Sequence, residues 1–290
     1  HCGPSAGLTL CAITRLPRGN DGEVLKANSA AIEGLEWAPG GARTELVSPI
    51  TVTVGTGGDY ATINEALAAL VALYYPIYLS SGTVPQATIN LLSGFVMAEQ
   101  VLVTGIDLSW ITIIGADAET MITRSALTKN FHGEYPAFGV LRGALPFINQ
   151  LFNMDSSGDS ANRDGIFCDQ GRCSIGPACG IKNAASYGLL ASHSSIVNAR
   201  GVNMSGAGYC GICASAASTI DAESANISGS ENLGIYAVNA STINARSANA
   251  SETAGYGIRI SWGSIINATN ATGTLTQTAN EVTANGIIFQ

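Results

Sequence analysis

The chain has 290 residues and a net charge of −8; only 12% of its side chains are charged, and 46% are apolar. The acidic balance argues against nucleic acid and anionic membrane surfaces as partners. The apolar content excludes a disordered chain, and no apolar run reaches the roughly 18 residues that a membrane-spanning helix needs. What remains is a chain of one or two domains, rich in small residues (34 are Gly) and suited to thin stacked β-structure.

The chain begins at His1 rather than Met, so processing, truncation or an upstream leader is expected; Leu8–Ile13 is too short to serve as a signal peptide. Residues 1–48 carry no solenoid pattern and are read as an attachment or hairpin region. Asp21-Gly22 is a turn signal ahead of a strand ending near Asn28, a second short strand spans Gly34–Pro39, and Gly40-Gly41 is a hinge.

Residues 49–163 form a second block. Ile50–Val54 reads as a strand and Gly55–Tyr60 as a turn. Thr62-x-x-Glu65 is a capping box opening a helix whose apolar face is Ile63, Ala66, Leu67, Leu70 and Leu73. A phosphate-binding loop at Gly55–Gly58 is not supported, because no Lys-Ser/Thr pair follows the glycines. Ala87–Leu92, Gln100–Val103 and Ile111–Gly115 read as buried strands. Residues 129–163, with His132, Tyr135, Phe138, Phe147, Phe152 and Met154 and the polar loop Asp155–Ser160, read as longer coils bearing a protrusion.

Residues 164–290 are dominated by a repeat. Tyr187-Gly-Leu, Cys210-Gly-Ile, Leu233-Gly-Ile and Tyr256-Gly-Ile recur at steps of 23, and Asp164-Gly-Ile is a degenerate earlier copy. Val197, Ile220, Ile243 and Ile266 keep the register, as do Asn198, Asp221, Asn244 and Asn267, while Ser195, Ser218, Ser241 and Ser264 are invariant. A fixed period in the twenties means stacked units that cannot bury their apolar faces alone. Leucine-rich repeats share the period but need a Leu lattice that is missing here. A parallel β-helix fits: one coil per repeat, with Ile and Val columns inside. The Asn columns are expected at bends, where Asn tolerates left-handed backbone and its amides ladder. Arg200, Glu223 and Arg246 alternate in sign, so neighbouring coils attract. The repeat decays after Thr269, with last strands expected at Thr274–Thr278 and Gly286–Gln290.

Two resemblances join this reading. Residues 16–41, LPRGNDGEVLKANSAAIEGLEWAPGG, resemble small β modules near the N-termini of bacteriophage tail fibre and tailspike proteins. The strand, Gly-Gly-Asp-Tyr turn, amphipathic helix and Ile-Ile-Gly phrase resemble the opening of pectin-lyase-like right-handed parallel β-helices, in which the helix plugs the N-terminal end. Together they imply an all-β, right-handed parallel β-helix with a capping helix, in a virion tail protein assembled in the host cytoplasm. They also imply a homotrimer that attaches to tail, baseplate or adaptor proteins through residues 1–48 and binds a host surface polysaccharide. The alternative is a polysaccharide lyase or hydrolase of the pectin-lyase-like type.

Candidate chemistry is sparse. The carboxylates available for acid–base work are Asp155, Asp159, Asp164 and Asp169, with Arg163 nearby, and Asp164 and Asp169 are expected to approach each other on adjacent strands. Cys210-x-x-Cys213 falls in repeat columns held by Tyr187 and Leu190 one coil earlier. It therefore reads as packing rather than as a redox or zinc pair. Seven cysteines with no disulfide framework fit a reducing compartment, and three scattered His give no metal site; no cofactor is expected. The sequons at Asn203, Asn226, Asn239, Asn249, Asn267 and Asn270 follow from the repeat. By alternation, positions 189 and 191 point inward and 190 outward, presenting Leu190, Cys213, Tyr236 and Arg259 in successive coils. Position 193 holds His193, Ala216, Asn239 and Trp262. Tyr236, Arg259, Trp262 and His193 are the candidate glycan-binding residues, with a subunit interface as the competing use of the same surface.

Overall fold

The computed structural model describes residues 43–76, 86–158, 162–273 and 285–289, together with the backbone of strands at 23–27, 35–39 and 278–282. The chain forms two compact units, 1–44 and 45–290. In the first, Glu23–Ala27 pairs antiparallel with Leu35–Pro39, with Glu23 opposite Pro39. The expected turn at Asp21-Gly22 lies outside the described residues.

The second unit is a parallel β-helix. Its largest sheet has eight strands, from Val101–Thr104 through Phe138–Leu141, Ile166–Asp169, Tyr187–Ser192, Cys210–Ala214, Leu233–Ala237 and Tyr256–Ile260 to Thr278–Val282. Each lies parallel to the next. A six-stranded sheet runs from Arg172–Ser174 to Ile287–Phe289, again with parallel neighbours. Two four-stranded sheets complete the early coils. Strand pairing confirms the 23-residue step: Leu189 lies beside Ile212, Ile212 beside Ile235, and Ile235 beside Ile258. The degenerate copy is in register too, with Ile166 beside Leu189.

The interior explains the invariant columns. Val197, Ile220, Ile243 and Ile266 are buried, and each such side chain contributes roughly 1.5–3 kcal/mol by leaving water. The serine column is also buried. Its members link the coils, because the N–H groups of Ser195, Ser218 and Ser241 donate to the hydroxyls of Ser218, Ser241 and Ser264 at 3.2, 3.2 and 3.1 Å. Gly211 is obligatory because a Cβ there would lie 1.9 Å from Ile227 Cγ2.

The Asn columns ladder as expected. Asn244 Nδ2 donates to Asp221 Oδ1 at 2.9 Å, Asn267 Nδ2 to Asn244 Oδ1 at 3.2 Å, and Asn249 Nδ2 to Asn226 Oδ1 at 3.2 Å. Their expected left-handed backbone is not found. Asn198, Asn244 and Asn267 end strands, whereas the bends are made by pairs such as His193 and Ser194 or Ala216 and Ala217. The charge ladder is present: Glu223 lies between Arg200 and Arg246, 3.8 Å from the Nε of Arg246.

At the N-terminal end of this unit, the helix Ile63–Leu73 is capped as its sequence requires. Thr62 accepts from the Glu65 N–H at 3.1 Å, and Glu65 accepts from the Thr62 N–H at 3.2 Å. Ile63, Ala66, Leu67 and Leu70 enter the core. Leu73 is exposed instead, because the helix ends there and the chain turns directly into the strand Tyr74–Pro76. The late strand expected at 274–278 begins at Thr278; residues 274–277 lie outside the described residues.

Candidate functional site

The outer face of the eight-stranded sheet carries the unusual residues of the chain. Position 190 and its equivalents point outward as expected, but Leu190 and Cys213 are buried there. They belong to a second apolar cluster with Phe131, Phe167, Cys210 and Leu233, against which Tyr187, Tyr236 and Tyr256 pack. What covers the early part of this face is a strap, residues 129–136.

The strap is built around a two-residue reversal. Phe131 and Glu134 exchange backbone hydrogen bonds of 2.7 and 3.1 Å, with His132 at φ 54° and Gly133 at φ 96° between them. Two left-handed residues in succession match the twist of a tight hairpin. One buried side chain holds both feet: Gln100 Nε2 donates to the carbonyls of Lys129 and Pro136 at 3.1 and 2.9 Å, and Gln100 Oε1 accepts from the Lys129 N–H at 2.6 Å. Phe131 lies edge-on to Phe167, with ring centroids 6.2 Å apart.

The reversal spans the width of the sheet and delivers titratable groups to both edges. At the edge where strands begin, Glu134 meets Asp164, which is fully buried. Asp164 Oδ1 accepts from the Tyr187 N–H at 3.1 Å. Asp164 Oδ2 and Glu134 Oε2 are buried without a hydrogen-bond partner among the described residues, and the two carboxyls stand close enough for the Glu134 charge to act on Asp164. Burial, reinforced by the Glu134 charge, pushes Asp164 well above the usual carboxylate range, and burial likewise raises Glu134. Tyr187 stands beside them, edge-on to Tyr209, and burial raises its phenol as well. Arg163 lies over the Tyr135 ring at 4.3 Å.

At the edge where strands end, Asp169 is buried beneath two exposed imidazoles. His193 Nδ1 is 2.8 Å from Asp169 Oδ1, and His132 Nδ1 is 3.6 Å from Oδ2. Ser192 Oγ also approaches His193 Nδ1, at 3.0 Å. Serine and aspartate share one ring nitrogen, so this is not a relay in which the imidazole passes a proton from hydroxyl to carboxylate. No group of three or more His, Cys, Asp or Glu among the described residues has metal-binding geometry.

Farther along the sheet the face opens. Tyr236 and Arg259 are partners on neighbouring strands. The Arg259 guanidinium sits 5.5 Å from the Tyr236 ring centre and 5.4 Å from that of Tyr256, and Tyr236 Oη bonds Ser261 Oγ at 3.1 Å. Trp262 follows at 63% exposure on a left-handed turn residue.

The sequence candidates therefore separate. Asp164 and Asp169 are not on adjacent strands: they flank opposite ends of the same strand, Ile166–Asp169, about 16 Å apart at strand rise. Asp164 is sealed from solvent. Asp155 is committed to local structure, accepting from the N–H groups of Arg124 and Ser157 at 2.9 and 3.0 Å. Asp159 lies outside the described residues. Tyr236 and Arg259 come together, while Trp262 stands exposed on the turn three residues after Arg259. His193 occupies the same turn column as Trp262 but three coils away, about 14 Å, and belongs with Asp169 and His132. Glu134 and Gln100 were not singled out from the sequence, since their partners lie 30 and 29–36 residues away. The Cys210/Cys213 pair is buried and free, as its repeat columns suggest.

No family model matches the chain, and no curated protein matches it. Among solved structures it is similar to the pectin methylesterase from Aspergillus niger, at 15% identity over 81% of this chain and 85% of that chain, with a TM-score of 0.26. At that score the likeness carries no functional argument. The parallel β-helix stands on the strand pairing itself.

Proposed function

We propose that this chain is a receptor-binding β-helix of a virion tail fibre or tailspike, and that it holds a host cell-surface glycan on the open part of the eight-stranded sheet. The observation that carries the reading is Trp262, whose large ring is left in water on the turn three residues after Arg259 of the Tyr236–Arg259–Tyr256 stack. Exposed aromatic rings beside a guanidinium suit sugars, whose C–H faces stack while their hydroxyls accept hydrogen bonds. Residues 1–48, by their resemblance to tail modules, would join the tail, baseplate or an adaptor, and a homotrimer is the assembly proposed.

The test is adsorption. Virions carrying Trp262→Ala should lose at least tenfold in host adsorption with unchanged thermal stability, and unchanged adsorption would defeat the reading. A second reading, depolymerisation of that glycan, is favoured by the Asp169 carboxylate under two exposed imidazoles, which is equipment for proton transfer. New reducing ends released from host polysaccharide, and lost on Asp169→Asn, would establish it.

A further inference from the structure

A cleft of about 490 Å³ runs beside the turn that joins the eight-stranded to the six-stranded sheet, lined among others by Arg142, Gln170, Arg172 and Ser194. A second cleft of about 480 Å³ adjoins it and shares Arg172. The depression exists because the coil there is built from glycine. Gly143 packs so closely that a Cβ would lie 2.2 Å from the Ile106 carbonyl oxygen. No side chain can fill the floor, and the long side chains stand around it.

The two arginines are anchored on one side and open on the other. Arg142 donates through Nε to Gln170 Oε1 at 3.1 Å, which leaves its terminal nitrogens without a partner among the described residues. Arg172 donates one terminal nitrogen to Asp107 Oδ2 at 2.9 Å. Asp107 is itself held by the N–H and hydroxyl of Ser109, at 2.9 and 2.6 Å. Arg172 is one coil from Arg142 and two residues along, so their backbones are roughly 8 Å apart, about the span of one sugar ring with its substituent. The charges lining the cleft are Arg142, Arg172 and Asp107, a local excess of one positive charge on a chain whose net charge is −8. Asp169, next to Gln170 in the chain, is buried under its imidazoles. Exposed Ile196 on the rim offers an apolar surface for a ring face.

We propose that this cleft is a subsite for a carboxylate-bearing sugar residue, with Arg142 presenting its pair of terminal nitrogens to the carboxylate and Arg172 as the second cation. A planar fork with its Nε already occupied matches a carboxylate two-to-two. The proposal deepens the glycan-binding reading and rests on it, but its residues are separate from Trp262, Tyr236 and Arg259.

The test uses the full chain and two probes, a glucuronate-containing tetrasaccharide and the same tetrasaccharide with its carboxylates reduced to alcohols. Calorimetric titration should show the wild type preferring the acidic sugar by at least tenfold, with a preference that shrinks as salt rises. Arg142→Gln and Arg172→Gln should each erase most of that preference without lowering the thermal midpoint. Arg142→Lys, which keeps the charge but not the fork, should fall between, and Trp262→Ala should weaken both sugars alike. Equal affinity of the wild type for the two sugars would overturn the subsite and leave the glycan-binding reading standing. So would a preference that survives Arg142→Gln. Binding of neither sugar would overturn the subsite as well, while the adsorption test still decides the broader reading.

Discussion

Two regions of one β-helix use the same outer face in opposite ways. In the coils spanning 187–268 each unit repeats the last, the interior is a set of Ile, Val, Ala and Ser columns, and the outer face carries half-buried Tyr236 and Arg259 and exposed Trp262. In the coils spanning 129–169 the period is broken, Phe138 and Phe152 fill the interior, and a strap crosses the outer face. The regular coils draw stability from identical neighbours, so a residue that departs from its column, such as Trp262, stands out singly. The irregular coils gather buried polar and titratable groups (Gln100, Glu134, Asp164, Asp169) because the strap gives them partners that no repeat unit supplies.

The sharpest way to break this contrast is in the interior. Ile243→Ala removes a fully buried side chain from a column and should cost about 2–5 kcal/mol. Urea unfolding should show the loss across the whole repeat rather than one coil, since neighbouring coils fold as a unit. Next comes Gln100→Ala, which strands the Lys129 and Pro136 carbonyls and should cost roughly 1–3 kcal/mol. Hydrogen exchange should accelerate at residues 129–136 and stay unchanged at 210–267. A loss spread evenly over all coils would show that the strap is not a separate element.

The acid pair distinguishes the regions by pH. Because the carboxyls of Asp164 and Glu134 are raised in the folded protein, the native state holds protons that the unfolded chain releases. Their favourable contribution is fully present below the ordinary carboxyl range, about pH 4, and is lost as pH rises through the raised values. Asp164→Asn keeps an acceptor for the Tyr187 N–H and should flatten the fall in stability as pH rises above the ordinary carboxyl range. An unchanged slope would show that Asp164 is not the group responsible. The smallest effect belongs to the regular surface: Arg200→Ala should cost less than about 1 kcal/mol and nothing measurable in high salt, since the Arg200–Glu223 pair is solvent-exposed on the arginine side.

The sequence made the regular region legible almost residue by residue. Identical phrases every 23 residues dictate parallel stacking, and the buried columns are the ones that repeat. What it hid is instructive. The serine column was visible as an identity but not as a buried chain of N–H-to-hydroxyl bonds. Left-handed bends were expected at Asn but fall mostly on residues such as Ala216 and His193, because stacked turns impose their backbone on whatever occupies them. Asp164 and Asp169 looked like a pair because both are acidic and close in the chain, yet strand extension separates them. The strap was unreadable because its anchors, Gln100 and Asp164, are ordinary polar residues until the coils bring them under it.

The glycan-binding part proposed for this molecule is the set of regular coils that carries Trp262 and the Tyr236–Arg259 pair. Titration of purified host surface polysaccharide against wild type, Trp262→Ala and Gln100→Ala decides it most directly. The expected result is a loss of affinity of at least tenfold for Trp262→Ala and wild-type affinity for Gln100→Ala. Undiminished binding by Trp262→Ala, or a loss confined to Gln100→Ala, would move the site to the strap and contradict the assignment.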